Sequence, residues 1–332
     1  MRQIQRDLNV GDSARQGKIL DVIFDGVEVV ETKSGIQCGI EYHTPVGGIR
    51  TVRQFTGEAQ GQGLPATTVE YLLKEPKDFK VWEWIVEHAR YEPKYEEFNL
   101  YDAQVGEMGL PVVEVGRVPF NDFLFNLAGY EQAFYLLNDY PQEVEHLLEV
   151  MVEAQRLKLW PVISCSPAKL VVHGVHLASQ LTPPPLFRKY ILPFYQELIP
   201  LLHDHGKYVA MHADNDTSLI LDLIERSGWD MVECFVTAPM VPVTLRQARE
   251  TWGSRMIIWG GIPSSMLSPS VSESDFRSYV GEVLRTIAPG DAFILGVADN
   301  VMPDSMIERV EWISEFLEKN GRYPIENNKV RC

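Results

Sequence analysis

Tyr208-Val209-Ala210-Met211-His212-Ala213-Asp214-Asn215-Asp216 begins as a short apolar run and ends in a histidine and two carboxylates. A helical pattern with a polar start, Thr217-Ser-Leu-Ile-Leu-Asp-Leu-Ile-Glu-Arg226, follows at once. This is a strand whose C-terminal end delivers polar side chains just before a helix, the edge at which parallel α/β folds bind ligands. His212 and Asp214 are two apart, so an extended backbone points both to one side. Such a pair can hold a metal, or act as a general base with its orienting partner. Equally, Asp214 or Asp216 can cap the next helix, with His212 a hydrogen-bonded barrel residue.

The same pattern recurs outward from this stretch. Leu110–Gly116, Lys169–His176, Asp230–Val236, Arg255–Gly261 and Ala292–Val297 are also apolar runs. Helical segments stand between them: 129–140, 141–160, 182–202, 244–251, 272–288 and 304–319. Strands buried on both faces read as continuous apolar runs, so alternation with helices predicts a parallel sheet with helical crossovers. A closed barrel and an open doubly wound sheet both satisfy it. No Gly-x-Gly-x-x-Gly follows any strand, which disfavours a dinucleotide fold. Residues 1–100 are less regular. Leu20–Thr32 and Ile36–Arg53 alternate like hairpin strands, with a turn at Gly47-Gly48. A Gly-rich loop spans 56–68, and a helix runs over 75–88. One domain, 1–332, is expected, with 1–100 an atypical N-terminal region and 101–325 the barrel core.

A formal charge of −16 and a pI near 5.0 argue against sequence-independent nucleic-acid binding and against an anionic membrane surface. No apolar run approaches a membrane span and the opening residues lack a signal core, so a cytoplasmic location is expected. The four cysteines, Cys38, Cys165, Cys234 and Cys332, show no CxxC spacing and indicate neither a zinc ribbon nor a disulfide framework.

Glu114, His173, His176, His212, Asp214, Glu233 and Asp299 lie in or just after the strands, where a barrel places its chemistry. Buried acids at successive strand ends are costly without a purpose. His173 and His176 are three apart, so at most one lines the site. Cys234 neighbours Glu233 and is expected to point away from it as a small buried residue.

From about Leu110 onward the chain resembles the uroporphyrinogen decarboxylase superfamily. The resemblance rests on Gly129-Tyr-Glu-Gln-Ala-Phe-Tyr-Leu-Leu-Asn-Asp-Tyr-Pro-Gln-Glu-Val144, Leu181-Thr-Pro-Pro-Pro-Leu-Phe-Arg-Lys-Tyr-Ile-Leu-Pro193, Met211-His-Ala-Asp-Asn-Asp216, Trp259-Gly-Gly-Ile-Pro-Ser-Ser-Met-Leu267 and Ile294-Leu-Gly-Val-Ala-Asp-Asn-Val-Met-Pro-Asp-Ser305. It implies a (β/α)8 TIM-barrel-like α/β fold, with the β-hairpins of the N-terminal region as a departure. The arginine-rich opening of the true decarboxylases is absent. The corrinoid-dependent methyltransferase branch, which binds zinc through His-x-Cys and a late cysteine, is the closer likeness. Here those positions read His212-Ala-Asp214 and Asp299, so the resemblance implies a divalent metal, zinc foremost, on His212, Asp214 and Asp299. Catalytic roles fall to His212, Asp214 and Glu233, the last also a fourth-ligand candidate. Glu114, His176, Asp216 and Trp259 are the expected substrate contacts.

The implied activity is transfer of a methyl group from a small O-methyl substrate to a corrinoid, or to a folate or thiol acceptor. The expected partners are a small-molecule substrate, a corrinoid protein carrying cobalamin, and a second copy of the chain. The alternatives are a cofactor-independent decarboxylase or lyase of a small acid, with His212 and Asp214 as acid/base groups, and a non-enzymatic subunit.

Overall fold

The computed structural model describes residues 5, 7, 8, 10, 11, 14–55, 66–326 and 330. They fall into two compact units that the chain visits alternately. One comprises Ile19–Tyr95 and Arg117–Ser166; the other comprises Met1–Lys18, Glu96–Gly116 and Pro167–Cys332. The helical stretch Arg117–Ser166 groups with Ile19–Tyr95.

In the first of these units, β1 (Leu20–Phe24) forms an antiparallel pair with a strand at Ala89–Pro93. Between them β2 (Glu28–Ser34), β3 (Gln37–Thr44), β4 (Gly47–Gln54) and β5 (Thr67–Glu70) make an antiparallel sheet in chain order. The Ala89–Pro93 strand is β6. The expected hairpins are present, but the turn between β3 and β4 is at residues 45 and 46, since Gly47 already pairs with Thr44. Of the expected loop over 56–68, residues 56–65 lie outside the described residues, and Thr67 and Thr68 open β5. The helix Pro76–Glu87 starts on a proline, which has no amide to leave unpaired there, and Asp78 accepts from the Lys74 and Glu75 amides. Phe79, Val81 and Ile85 are its buried residues. It packs on the helix Pro141–Ala154, whose Val144, Leu147, Leu148 and Met151 supply the opposing apolar stripe.

The second unit holds β7 (Val112–Glu114), β8 (Leu170–Val175), β9 (Tyr208–His212), β10 (Met231–Phe235), β11 (Ile257–Pro263) and β12 (Phe293–Ala298). All six are parallel and neighbours in chain order. A doubly wound sheet reverses its order at a switch point; this sheet never does, which is the order of a (β/α) barrel. Val112, Leu170, Val172, Val175, Ala210 and Met231 pack together, with Ile257 and Trp259 against them. The alternating residues Val113, Val171, Val209, Val232 and Ile258 are equally buried. Both faces of the sheet are therefore covered, as the unbroken apolar runs require. Beyond the other edge of β7, the Val112 amide donates to the Ala14 carbonyl at 3.0 Å. No helix among the described residues is long and apolar enough to cross a membrane.

Two irregularities interrupt the sheet, between Val172 and Val175 in β8 and between Val232 and Phe235 in β10. At the first, Gly174 has φ +99, and a Cβ there would lie 2.5 Å from the Tyr195 hydroxyl. Opposite the second, a Cβ on Gly260 would lie 2.7 Å from both the N and the O of Phe235. Only glycine accommodates these approaches.

Candidate active site

Sheet register lines up the polar strand ends. In the β8–β9–β10 ladder His212 stands opposite Val175 on one side and Glu233 on the other. The two bulges then rotate the residues that follow them. His176 and Cys234 both have left-handed backbones, φ +57 and +56. A bulge re-aims the side chains beyond it and breaks strict alternation. That is why Glu233 and Cys234, though adjacent, both reach the His212 neighbourhood. Cys234 is the small buried residue expected, packed with Val236 and Ala298, but the expectation that it points away assumed an unbroken strand; its thiol also turns to Asp299 and groups with His212.

His212 is the hub. Its Nδ1 lies 2.7 Å from Glu233 Oε2, and its Nε2 lies 3.7 Å from Asp214 Oδ2. Glu233 is ion-paired with Arg15, whose other terminal nitrogen is 4.0 Å from Glu114. Paired with Arg15, Glu233 accepts a hydrogen bond from His212 Nδ1, and Nε2 is the atom left for a ligand. His176 Nδ1 lies 2.6 Å from Asp214 Oδ2, and Asn215 Nδ2 donates to the other Asp214 oxygen at 2.9 Å. Cys234 Sγ donates to Asp299 Oδ1 at 3.1 Å, and Asn300 donates to Asp299 Oδ2.

Among the described residues, two groups of potential donor atoms share His212, each with its atoms within 4.8 Å of one another: His176, His212 and Asp214, and His212, Cys234 and Asp299. The expected trio His212, Asp214 and Asp299 does not form one group. Asp214 is drawn to His176, and Cys234 takes the place beside Asp299.

The remaining expected residues are distributed as follows. Glu114 sits half-exposed at the end of β7 near Arg15. Asp216 is buried, with its carboxylate engaged by Gln180 Nε2 at 2.6 Å and by the Ser218 amide and hydroxyl, so it braces two loops. Trp259 projects into the interior cluster of the sheet. His173 turns the other way, fully buried, with Nδ1 3.1 Å from the Tyr195 hydroxyl. Arg15 carries no motif and was not foreseen.

The electrostatics follow from the pairing. Burial acts to lower the His212 pKa, but the hydrogen bond to Glu233 and the charges of Glu233 and Asp214 outweigh it, and the pKa stands above the ordinary value; Arg15 offsets part of the rise. Burial acts to raise Asp214, yet its hydrogen bond to His176 and the two imidazoles hold it below the usual carboxylate value. Burial, with Glu233, Asp299 and Asp214 nearby, pushes the Cys234 thiol well up. Asp214 is thus an acceptor and His176 Nδ1 the donor, while Cys234 keeps its proton.

The donor set suits a divalent metal: one imidazole with its second nitrogen anchored, one thiol and one carboxylate, with further acids alongside. A family model for uroporphyrinogen decarboxylase (URO-D) matches residues 112–319. Among solved structures, the chain is similar to a methyltransferase from Methanosarcina mazei, with a TM-score of 0.51 and 12% identity over 76% of this chain and 72% of that one. A D-psicose 3-epimerase from Clostridium cellulolyticum H10 aligns with a TM-score of 0.33 and 10% identity, over 69% of this chain and 94% of the other. No curated protein matches the sequence. The family and the first of these structures agree with the barrel strand order seen here.

Proposed function

Since the chain belongs to the uroporphyrinogen decarboxylase family, we propose that it is a metal-dependent methyltransferase taking a methyl group from a small methyl ether. The observation that carries this is the His212 hub: Nδ1 tied to Glu233, with Cys234 and Asp299 grouped around the same ring. The similarity in fold to the Methanosarcina methyltransferase supports the reading.

His212, Cys234 and Asp299 would hold the metal, with Asp214 beside them; this modifies the ligand set expected from sequence. When bound, zinc or a similar ion supplies Lewis acidity toward an oxygen that leaves with negative charge. The methyl–oxygen bond would break with its electron pair kept on oxygen, and a reduced corrinoid on a partner protein would be the acceptor that supplies the pair for the new bond. The leaving oxygen takes up one proton. Glu233, fixed by Arg15, holds His212 in one tautomer and ring orientation. His176, hydrogen-bonded to Asp214, would supply that proton.

A second reading, a cofactor-independent carboxy-lyase acting on a small acid, is favoured by the His176–Asp214 pair and by the raised pKa of His212, both suited to acid/base work. Elemental analysis of the purified protein and of His212→Ala and Asp299→Ala separates the two. About one divalent ion per chain, lost in both variants, followed by demethylation of methoxylated compounds with reduced cobalamin, supports the transferase. Absence of metal after reconstitution moves the assignment to the lyase.

A further inference from the structure

His212 belongs to two donor groups but has one nitrogen to give. Its Nδ1 is 2.7 Å from Glu233 Oε2, which leaves Nε2 to serve both groups. One nitrogen lone pair binds one ion. The group His176–His212–Asp214 and the group His212–Cys234–Asp299 therefore cannot be filled together through that ring. They also differ in chemistry. The second carries a thiol, whose thiolate draws zinc and other thiophilic ions. The first has two imidazoles and one carboxylate, a set that suits iron(II) or manganese(II) with coordination positions left open.

The distances in the first group are close to those a bound ion requires. His176 follows β8, and His212 and Asp214 stand at and just past the end of β9. The bulge in β8 and the left-handed backbone of His176, φ +57, bring its ring beside Asp214. The His176 and His212 rings stand 5.7 Å apart at 87°. Asp214 Oδ2 is 2.6 Å from His176 Nδ1 and 3.7 Å from His212 Nε2. Ligand atoms about 2.1 Å from an ion stand about 3.0–3.4 Å apart, so the first contact opens and the second closes, each by less than about 1 Å. Asn215 holds the other Asp214 oxygen at 2.9 Å and so keeps Oδ2 toward the rings. With its proton on Nε2, His176 presents a lone pair at Nδ1 in place of a hydrogen.

We propose that His176, His212 and Asp214 form a second, mutually exclusive seat for a divalent ion of the manganese(II) and iron(II) class. Filling it breaks the His176–Asp214 hydrogen bond, and the His176 side chain is 30% exposed, so this seat is the weaker and exchanges with solvent. A zinc-class ion stays with the thiol-bearing group and is the one retained on purification. The inference concerns where an ion sits and does not depend on the methyl-transfer reading.

The test is titration of the metal-free full-length chain with manganese(II), read by electron paramagnetic resonance, and with zinc(II) against a chromophoric chelator. The parent is expected to bind about one ion of either kind, and about one in total when both are present. His176→Asn and His176→Gly both tolerate the left-handed backbone; each should weaken manganese(II) about tenfold or more and zinc(II) less than about threefold. Cys234→Ser should do the reverse. Asp299→Ala, expected to lose zinc, should bind manganese(II) as the parent does. Circular dichroism checks the fold of each variant. Parent-like manganese(II) affinity in both His176 variants, equal weakening of manganese(II) by Cys234→Ser, two ions bound at once, or no manganese(II) binding at millimolar ion overturns the proposal. A chain that holds manganese(II) in this way yet demethylates nothing would overturn the transferase reading and leave the seat standing.

Discussion

Replacing Glu233 by glutamine isolates what the carboxylate does for His212. The change keeps the shape and leaves an amide oxygen near Nδ1, now 2.7 Å from a carboxylate oxygen. It removes the charge that Arg15 pairs with, in a side chain only 8% exposed. A hydrogen bond to a charged group contributes about 1.5–3 kcal/mol, and loss of a group that orients a metal-bound histidine costs about 10–100-fold in affinity, or about 1.4–2.8 kcal/mol. The two estimates overlap, so Glu233→Gln should weaken zinc or cobalt binding by one to two orders of magnitude. Competition with a chromophoric chelator measures this directly, and circular dichroism confirms that the fold is retained. Affinity equal to the parent would refute the orienting role. Loss beyond about a thousandfold would refute it in the other direction, because that is the signature of a deleted ligand rather than of a misaligned one.

Three further outcomes are expected. Metal binding should release the proton that burial keeps on the Cys234 thiol and, below the raised His212 pKa, the imidazole proton as well, so the affinity should rise by at least about tenfold per pH unit near neutrality; Cys234→Ser should lower that slope by about one proton and leave the His212 part, which chelator competition at several pH values measures. His212 has a raised folded-state pKa, so its contribution to metal-free stability is complete below its unfolded value of about 6.5 and is lost as pH rises through the folded value; denaturant midpoints of the parent and His212→Ala should converge at high pH. Gly260→Ala would put a methyl group 2.7 Å from the Phe235 backbone, which cannot swing aside, and should cost more than about 2 kcal/mol in urea unfolding.

The six parallel strands were legible because each is a continuous apolar run bounded by polar residues, and His212, with Asp214 just past β9, was legible from its place at such an end. The N-terminal unit was less so. The helix Tyr95–Val105 buries only Phe98 and Val105, too thin a stripe to stand out, and β5 is short and polar. Within the site, strict alternation failed at Cys234 because a non-glycine residue with a left-handed backbone leaves no mark in composition or spacing. Gly174, two residues before His176, was the one local hint of a bulge. The pairing of Arg15 with Glu233 joins residues far apart in the chain, and local periodicity carries no record of it.

The left-handed backbone at Cys234 also limits which amino acids can occupy that position. Valine, isoleucine or threonine would clash with its own main chain there. Glycine would adopt the conformation without cost but offer nothing to a metal. Asparagine and aspartate tolerate it and also carry an oxygen donor. The same turn therefore screens candidates for shape and for chemistry at once, and aspartate is the exchange at 234 that would shift the site from a soft to a hard ligand set while leaving the sheet's register alone.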